Sequence, residues 1–146
     1  MDIESTIRAL VFSQRLAVLA TQGDKRPYGS LVAFAATADL KSLLFATTRA
    51  TRKYANLVKN RGVALVIDTR TNQTADFADA AAVTALGDVE ELAGLDRQEL
   101  RGIYLEKHPS LRAFTKSPTT PLLRVSVTTY IMVSRFQNVQ ELHVSE

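Results

Sequence analysis

The chain has 146 residues, 46% hydrophobic and 23% charged, with a net charge of +3; these values fit a single domain able to bury a core and exclude a disordered segment. It contains no cysteine, which excludes disulfides, thiolate nucleophiles and cysteine-held zinc or iron–sulfur sites and agrees with a reducing compartment, the cytosol by default. The stretch from Ile7 to Ala20 is interrupted by Arg8, Gln14 and Arg15, so it is neither a membrane-spanning helix nor a signal segment.

The predicted elements begin with a short helix over Ile3 to Phe12, apolar at Ile3, Ile7, Leu10 and Val11. A compact strand run, Leu16 to Thr21, is joined through Gly23-Asp24-Lys25-Arg26-Pro27 to a strand from Tyr28 to Ala38, making a hairpin. A turn at Ala38 to Lys41 leads to a third strand ending at Thr47, followed by a helix with Tyr54, Leu57 and Val58 on one face. Val63 to Asp68 reads as a fully buried strand, and Thr69 to Asp79 as a polar loop. Strand character resumes over Ala81 to Glu91. Asp96 to Lys107 reads as a helix with Leu95, Leu100, Ile103 and Tyr104 inward. Leu122 to Val133 alternates over Leu123, Val125, Val127 and Thr129, and Phe136 to Val144 is a further pairing partner. Six or seven short strands with three helices predict a mostly β (α+β) fold, a small antiparallel barrel with peripheral helices in one domain, 1–146.

The segment from Leu40 to Ile67 has no Asp or Glu, yet it carries Lys41, Arg49, Arg52, Lys53, Lys59 and Arg61 with Thr47, Thr48 and Thr51 among them. Thr51 has the chemistry of an N-cap. Arg52 and Lys53 then fall in the first helical turn, where the macrodipole favours carboxylates, so cations there call for a bound polyanion. Basic residues on an exposed helix ordinarily only solvate it, and Lys59 and Arg61 are read that way. For Arg49, Arg52 and Lys53 the missing acids leave both readings open. Because the cations gather in this one segment, rather than along a helix or tail, neither nucleic acid nor a membrane is an expected partner.

Three runs then carry a resemblance: Leu19-Ala20-Thr21, Arg26 to Phe34, and Phe45-Ala46-Thr47-Thr48-Arg49-Ala50-Thr51-Arg52-Lys53-Tyr54-Ala55-Asn56-Leu57. Together they resemble the pyridoxamine 5'-phosphate oxidase-related proteins with the FMN-binding split barrel. Val83 to Glu90 and Tyr104 to Pro109 resemble later parts of that family, and the spacing Thr47-x-x-x-Thr51-Arg52-Lys53-x-x-Asn56 is the specific part. The resemblance implies a split barrel that forms a homodimer, with FMN in each of two clefts between subunits. It sets Ser30, Leu31, Val32, Ala33, Phe34 and Ala35 along the isoalloxazine and ribityl chain, largely through backbone groups. It sets Ala46 and Thr47 at the ring, and Thr51, Arg52 and Lys53 at the phosphate, with Thr48 in the same turn. Asn56, one turn after Arg52, either reaches the ligand or is a helix-surface amide.

Ala35 stands where the oxidase proper has a lysine, and Ala82 where it has a flavin-contacting glutamine. The final residues, Gln140 to Glu146, place Glu141 beside His143 rather than an arginine. True pyridoxamine 5'-phosphate oxidase activity is therefore not expected. The resemblance also allows Ser134-Arg135-Phe136 to reach the other subunit's flavin.

With two distant histidines, His108 and His143, neither a metal site nor a Ser-His-Asp triad is expected, and no catalytic residue is assigned. Flavin carries its own redox chemistry. The expectation is a flavin-dependent oxidoreductase acting on a small substrate or electron acceptor. The alternatives are a non-catalytic flavin or electron carrier, and a relative of the same fold that holds haem or a deazaflavin.

Overall fold

The computed structural model describes residues 2–135 and 138–145. Helix α1 (Ile3–Ser13) starts at Asp2, whose carboxylate accepts the Ser5 N–H at 2.7 Å, and it buries Ile7, Leu10 and Val11. Seven strands follow: β1 (Leu16–Gln22), β2 (Pro27–Ala36), β3 (Ser42–Ala46), β4 (Gly62–Asp68), β5 (Ala81–Glu91), β6 (Leu122–Ser134) and β7 (Asn138–His143). Helix α2 (Arg52–Lys59) separates β3 from β4 and α3 (Asp76–Asp79) separates β4 from β5, while α4 (Gly94–Lys107), a short 3₁₀ turn and α5 (Arg112–Lys116) lie between β5 and β6. The strands run β3-β2-β1-β4-β5-β6-β7, all antiparallel, and β3 also pairs with β6. That second pairing closes six strands into a ring and leaves β7 outside it, while Pro27 to Ala33 of β2 pair with β1 alone.

Alternation fills the ring. Leu19, Phe34, Phe45, Leu65, Ile67 and Val125 have no exposed surface, and each lies on the inward face of its strand. A second core forms outside the ring, where Leu100, Tyr104 and Leu105 of α4 cover Ala35, Leu44 and Leu122. Among the described residues no helix is long and apolar enough to cross a membrane.

The structure departs from the sequence reading at defined points. β4 is not fully buried: Val63, Leu65 and Ile67 point inward while Ala64, Val66 and Asp68 stay half-exposed, because an antiparallel barrel strand shows one face outward. In β6 the inward set changes from Leu123, Val125 and Val127 to Tyr130 and Met132. The cause is a bulge: Leu86 pairs with Thr129 and Gly87 with Val127, so Thr128 is unmatched and Thr129 turns outward. β2 ends at Ala36, and in the following turn Leu40 takes φ 63° with its side chain fully buried. The Tyr130 hydroxyl, held up from its ordinary pKa by burial, donates to the Leu40 carbonyl at 2.6 Å. Val58 and Leu95 are 69% and 82% exposed rather than inward, since each lies on the outer side of the first or last turn of a short amphipathic face. The 69–79 loop contains α3, braced by the Asp76 carboxylate accepting from Thr71 and Asn72. The last strand is seen as β7; Phe136, its expected start and the end of the segment expected at the partner's flavin, lies outside the described residues.

Candidate functional site

Between β3 and α2 the chain is strapped to the loop before β6: Thr47 N–H donates to the Pro121 carbonyl at 3.3 Å and Arg49 N–H to that of Thr119 at 3.2 Å. This fixes where α2 begins. The Thr51 hydroxyl accepts the Tyr54 N–H at 3.2 Å and donates to the Thr48 carbonyl at 3.0 Å, and the buried Thr47 hydroxyl lies 3.1 Å from it. Thr51 is thus the N-cap, with its proton committed inside the turn. The first turn of α2 has no acid.

Arg52 and Lys53 differ from the other cations of the segment. Arg49 pairs with Glu91 at 2.8 Å, and Lys59 pairs with Asp24 at 2.9 Å. Among the described residues no carboxylate pairs with Arg52 or Lys53, and their backbone N–H groups and the Thr48 hydroxyl have no partner. The Arg52 guanidinium lies 5.5 Å from the centroid of the Tyr28 ring on β2. One helix start therefore offers two N–H groups, a hydroxyl and two cations with no internal counter-charge. Glu91, which also accepts the Tyr54 hydroxyl at 2.8 Å and so raises its pKa, closes the Arg49 side of this turn.

β2 runs away from this point with alternating fates. The Ser30 hydroxyl is buried and has no hydrogen-bond partner, and it lies on the same face of β2 as Tyr28. Leu31 is 63% exposed on the outside of the ring, while Val32 and Phe34 fill its interior. The Ala33 carbonyl accepts the Tyr104 hydroxyl at 3.0 Å, the Phe34 carbonyl lies 2.7 Å from His108 Nε2, and Ala35 is buried under α4. Burial beneath this lid pushes the Tyr104 phenol up to about 12. Ala46 packs at the edge of the same cluster. Of the 30–35 stretch, only Leu31 stands clear of both α4's contacts and the inward face of the barrel.

Asn56 faces neither solvent nor the open helix start. Its amide donates to the buried Thr21 hydroxyl at 2.9 Å, and its oxygen occupies the space that a side chain at Gly23 would need. It ties α2 to β1. Tyr28 and Glu91 were not singled out by the sequence as site residues; only the two-residue spacing of Tyr28 from the expected Ser30 hinted that the two share a face.

Beside the site the outside of the ring is apolar. The rungs Leu31-Val18-Val66-Thr84 and Gly29-Ala20-Ala64-Leu86 cross β2, β1, β4 and β5, and each of these residues is half-exposed or exposed. Leu16 at 56% and Leu31 at 63% are its most exposed members. Among the described residues no cluster of His, Asp and Glu could hold a metal. His143 is on β7, between Thr129 and Glu141.

The family model described as pyridoxamine 5'-phosphate oxidase matches residues 3–134. No curated protein matches the chain significantly in sequence. Among solved structures, a heme binding protein from Mycobacterium smegmatis superposes with TM-score 0.83 at 16% identity, over 93% of this chain and 55% of its own. The chain thus spans about half the length of that protein. General stress protein 26 from Bacillus anthracis gives TM-score 0.74 at 18% identity, covering 98% and 99% of the two chains. HutZ, the heme storage protein of Vibrio cholerae, gives 0.70 at 14%, covering 87% and 91%. At these identities the likeness is one of fold. With the match running from α1 through β6 over a closed six-stranded ring, the chain belongs to the pyridoxamine 5'-phosphate oxidase family.

Proposed function

We propose that this chain is an FMN-binding flavoprotein, a homodimer that acts as a flavin-dependent oxidoreductase on a small substrate. The observation that carries the reading is the start of α2, where Arg52 and Lys53 stand with free N–H groups and no carboxylate partner. A phosphate dianion fits that donor set.

When bound, FMN supplies the redox step through its isoalloxazine ring. The chain's own residues bind and orient. Lys53 and Arg52 neutralise the phosphate, the Thr48 hydroxyl and the two N–H groups hydrogen-bond it, and Thr51 shapes the turn that aims them. Tyr104 and His108 fix the second half of β2 against α4, so the backbone beside the site is rigid. The uncovered apolar rungs beside Leu31 support a second copy of the chain as the other wall of the cleft. Pyridoxamine 5'-phosphate is not the substrate in this reading, because Ala35 lies buried under α4 and His143 is paired with Glu141.

Haem in place of FMN is the competing reading, since two of the structural neighbours are named as heme proteins. In this chain His108 is buried against the Phe34 carbonyl and His143 is engaged by Thr129 and Glu141, so neither histidine stands open as an axial ligand. The absorption spectrum of the purified protein separates the two: a two-banded flavin spectrum is expected, and a Soret band overturns the reading. In fluorescence titrations FMN is expected to bind at least about tenfold more tightly than riboflavin, because a charge-assisted contact is worth about 1.5–3 kcal/mol. Equal affinity for the two flavins removes the phosphate assignment. Turnover of nicotinamide with the loaded protein then distinguishes an oxidoreductase from an electron carrier.

Light scattering is expected to give twice the chain mass of 16.1 kDa, with flavin lost on dilution. A monomer that retains stoichiometric FMN contradicts the shared cleft.

A further inference from the structure

At the other end of β2 from Tyr28, α1, α4 and the last residues of β2 line a solvent-open cavity of about 430 Å³. Ala36 lies eight residues beyond Tyr28, about 25 Å along the strand, so this is a separate place from the helix start that faces Arg52. The walls are Phe12, Ala35, Ala36, Ala38 and Ile103, with Glu106 and Lys107 as the charged members.

Lys107 is half-buried. Its Nζ donates to the Val11 carbonyl at 3.2 Å and stands 4.0 Å from the centroid of the Phe34 ring. An ammonium has three donors; the carbonyl and the ring face use two. Among the described residues no carboxylate is within ion-pair reach of it. Glu106 is exposed, and Asp39 is held by the Thr37 hydroxyl and the Lys41 N–H. From α1, Arg8 donates to the Ala38 carbonyl, and Arg15 beyond its end adds further positive charge. His108 Nε2 is turned to the Phe34 carbonyl. Burial first, and Arg15 second, lower the Lys107 amine to about 8.

Val11 is in the last turn of α1, where carbonyls lack helical partners, so capping that helix accounts for one hydrogen bond of Lys107. It does not account for the apolar cavity that Lys107 also lines. A partly desolvated ammonium with no counter-charge is costly, and an anion in the cavity would relieve that cost. The walls are wrong for a strongly hydrated dianion and right for a hydrocarbon. The volume lies within the span of about 300–1,000 Å³ usual for small-molecule sites.

We propose that this cavity binds a small monocarboxylate with an apolar tail, the carboxylate on Lys107 and the tail against Phe12, Ala36, Ala38 and Ile103. Lys107 and these tail contacts share no residue with the Thr48, Arg52 and Lys53 donor set.

Amide NMR titration of the full chain with decanoate and with decanol tests it. Decanoate is expected to shift Phe12, Ala36, Ala38 and Ile103 and to bind about tenfold more tightly than decanol at neutral pH. Only the charged amine holds the carboxylate, so that preference falls as the pH rises through the Lys107 value of about 8. Lys107→Met is expected to abolish the preference while decanol binding stays. Ala38→Trp, which fills the cavity and leaves Lys107 in place, is expected to weaken both ligands at least tenfold. Equal affinity for the two ligands, or a decanoate affinity independent of pH, overturns the role of Lys107. Shifts confined to other residues, or binding undiminished by Ala38→Trp, overturn the location. If Lys107→Met fails to fold, the pH profile of the unaltered chain and the Ala38→Trp titration decide.

Discussion

Lys53→Ala is expected to weaken FMN binding about tenfold to a hundredfold and to leave riboflavin binding unchanged. The range follows from one charge-assisted hydrogen bond of about 1.5–3 kcal/mol at a helix start where no acidic side chain competes for the ammonium. Arg52 is expected to respond differently, because its guanidinium already stacks against the Tyr28 ring and keeps that contact with or without a ligand. The lysine is exposed enough for salt to matter, so raising ionic strength should weaken FMN in the unaltered chain and do so less steeply in the variant. Thr51→Ala acts by another route: it removes the cap that positions the turn, so it should lower helix stability and FMN affinity together. Fluorescence quenching with both flavins reads these cases apart. An unaffected Lys53→Ala variant would sink the phosphate assignment.

What the sequence disclosed about this site was its local part. The β3-turn-α2 order, the Thr51 cap and the acid-free first turn all lie between Ser42 and Ala55, a local stretch where propensity and spacing act. Arg49 could not be separated from Arg52 and Lys53 by such means, because the carboxylate that neutralises it is Glu91 on β5, brought alongside only by the closed ring. Asn56 is the same case: its partner Thr21 is 35 residues earlier. In the fold, strands with uninterrupted alternation were legible, as in β1, where Ala17, Leu19 and Thr21 are buried in turn. Strand β6 was not, since one unmatched residue at Thr128 reverses which side chains face inward and a bulge leaves almost no mark on composition. Leu40 was read as part of a turn, yet it fills the core because its positive φ and the Tyr130 hydroxyl fold the turn back over the barrel end.

That bulge also sets the largest expected effect on stability. Gly87→Ala should cost roughly 2–4 kcal/mol, the upper range of small-to-large changes in tightly packed places. A Cβ at Gly87 would lie 2.2 Å from the Ser126 carbonyl oxygen and 2.9 Å from its carbon, and 3.0 Å from Cγ1 of Val125. Two of those three atoms are backbone of the neighbouring strand, so no rotamer change relieves the overlap. Relief requires β5 and β6 to separate where their register shifts, and β6 has β3 and β7 on its other pairings to resist that movement. The same substitution at Gly102 has the opposite expected sign. A Cβ there meets nothing within 4 Å, the residue is exposed in α4, and alanine in a helix interior is favoured over glycine by about 0.5–1 kcal/mol. Thermal unfolding followed by circular dichroism is expected to show Gly87→Ala melting about 10 °C lower, at roughly 2–4 °C per kcal/mol for a chain of this size, and Gly102→Ala slightly higher. If Gly87→Ala melts with the unaltered chain, the two strands do not approach as closely at the bulge as the barrel requires.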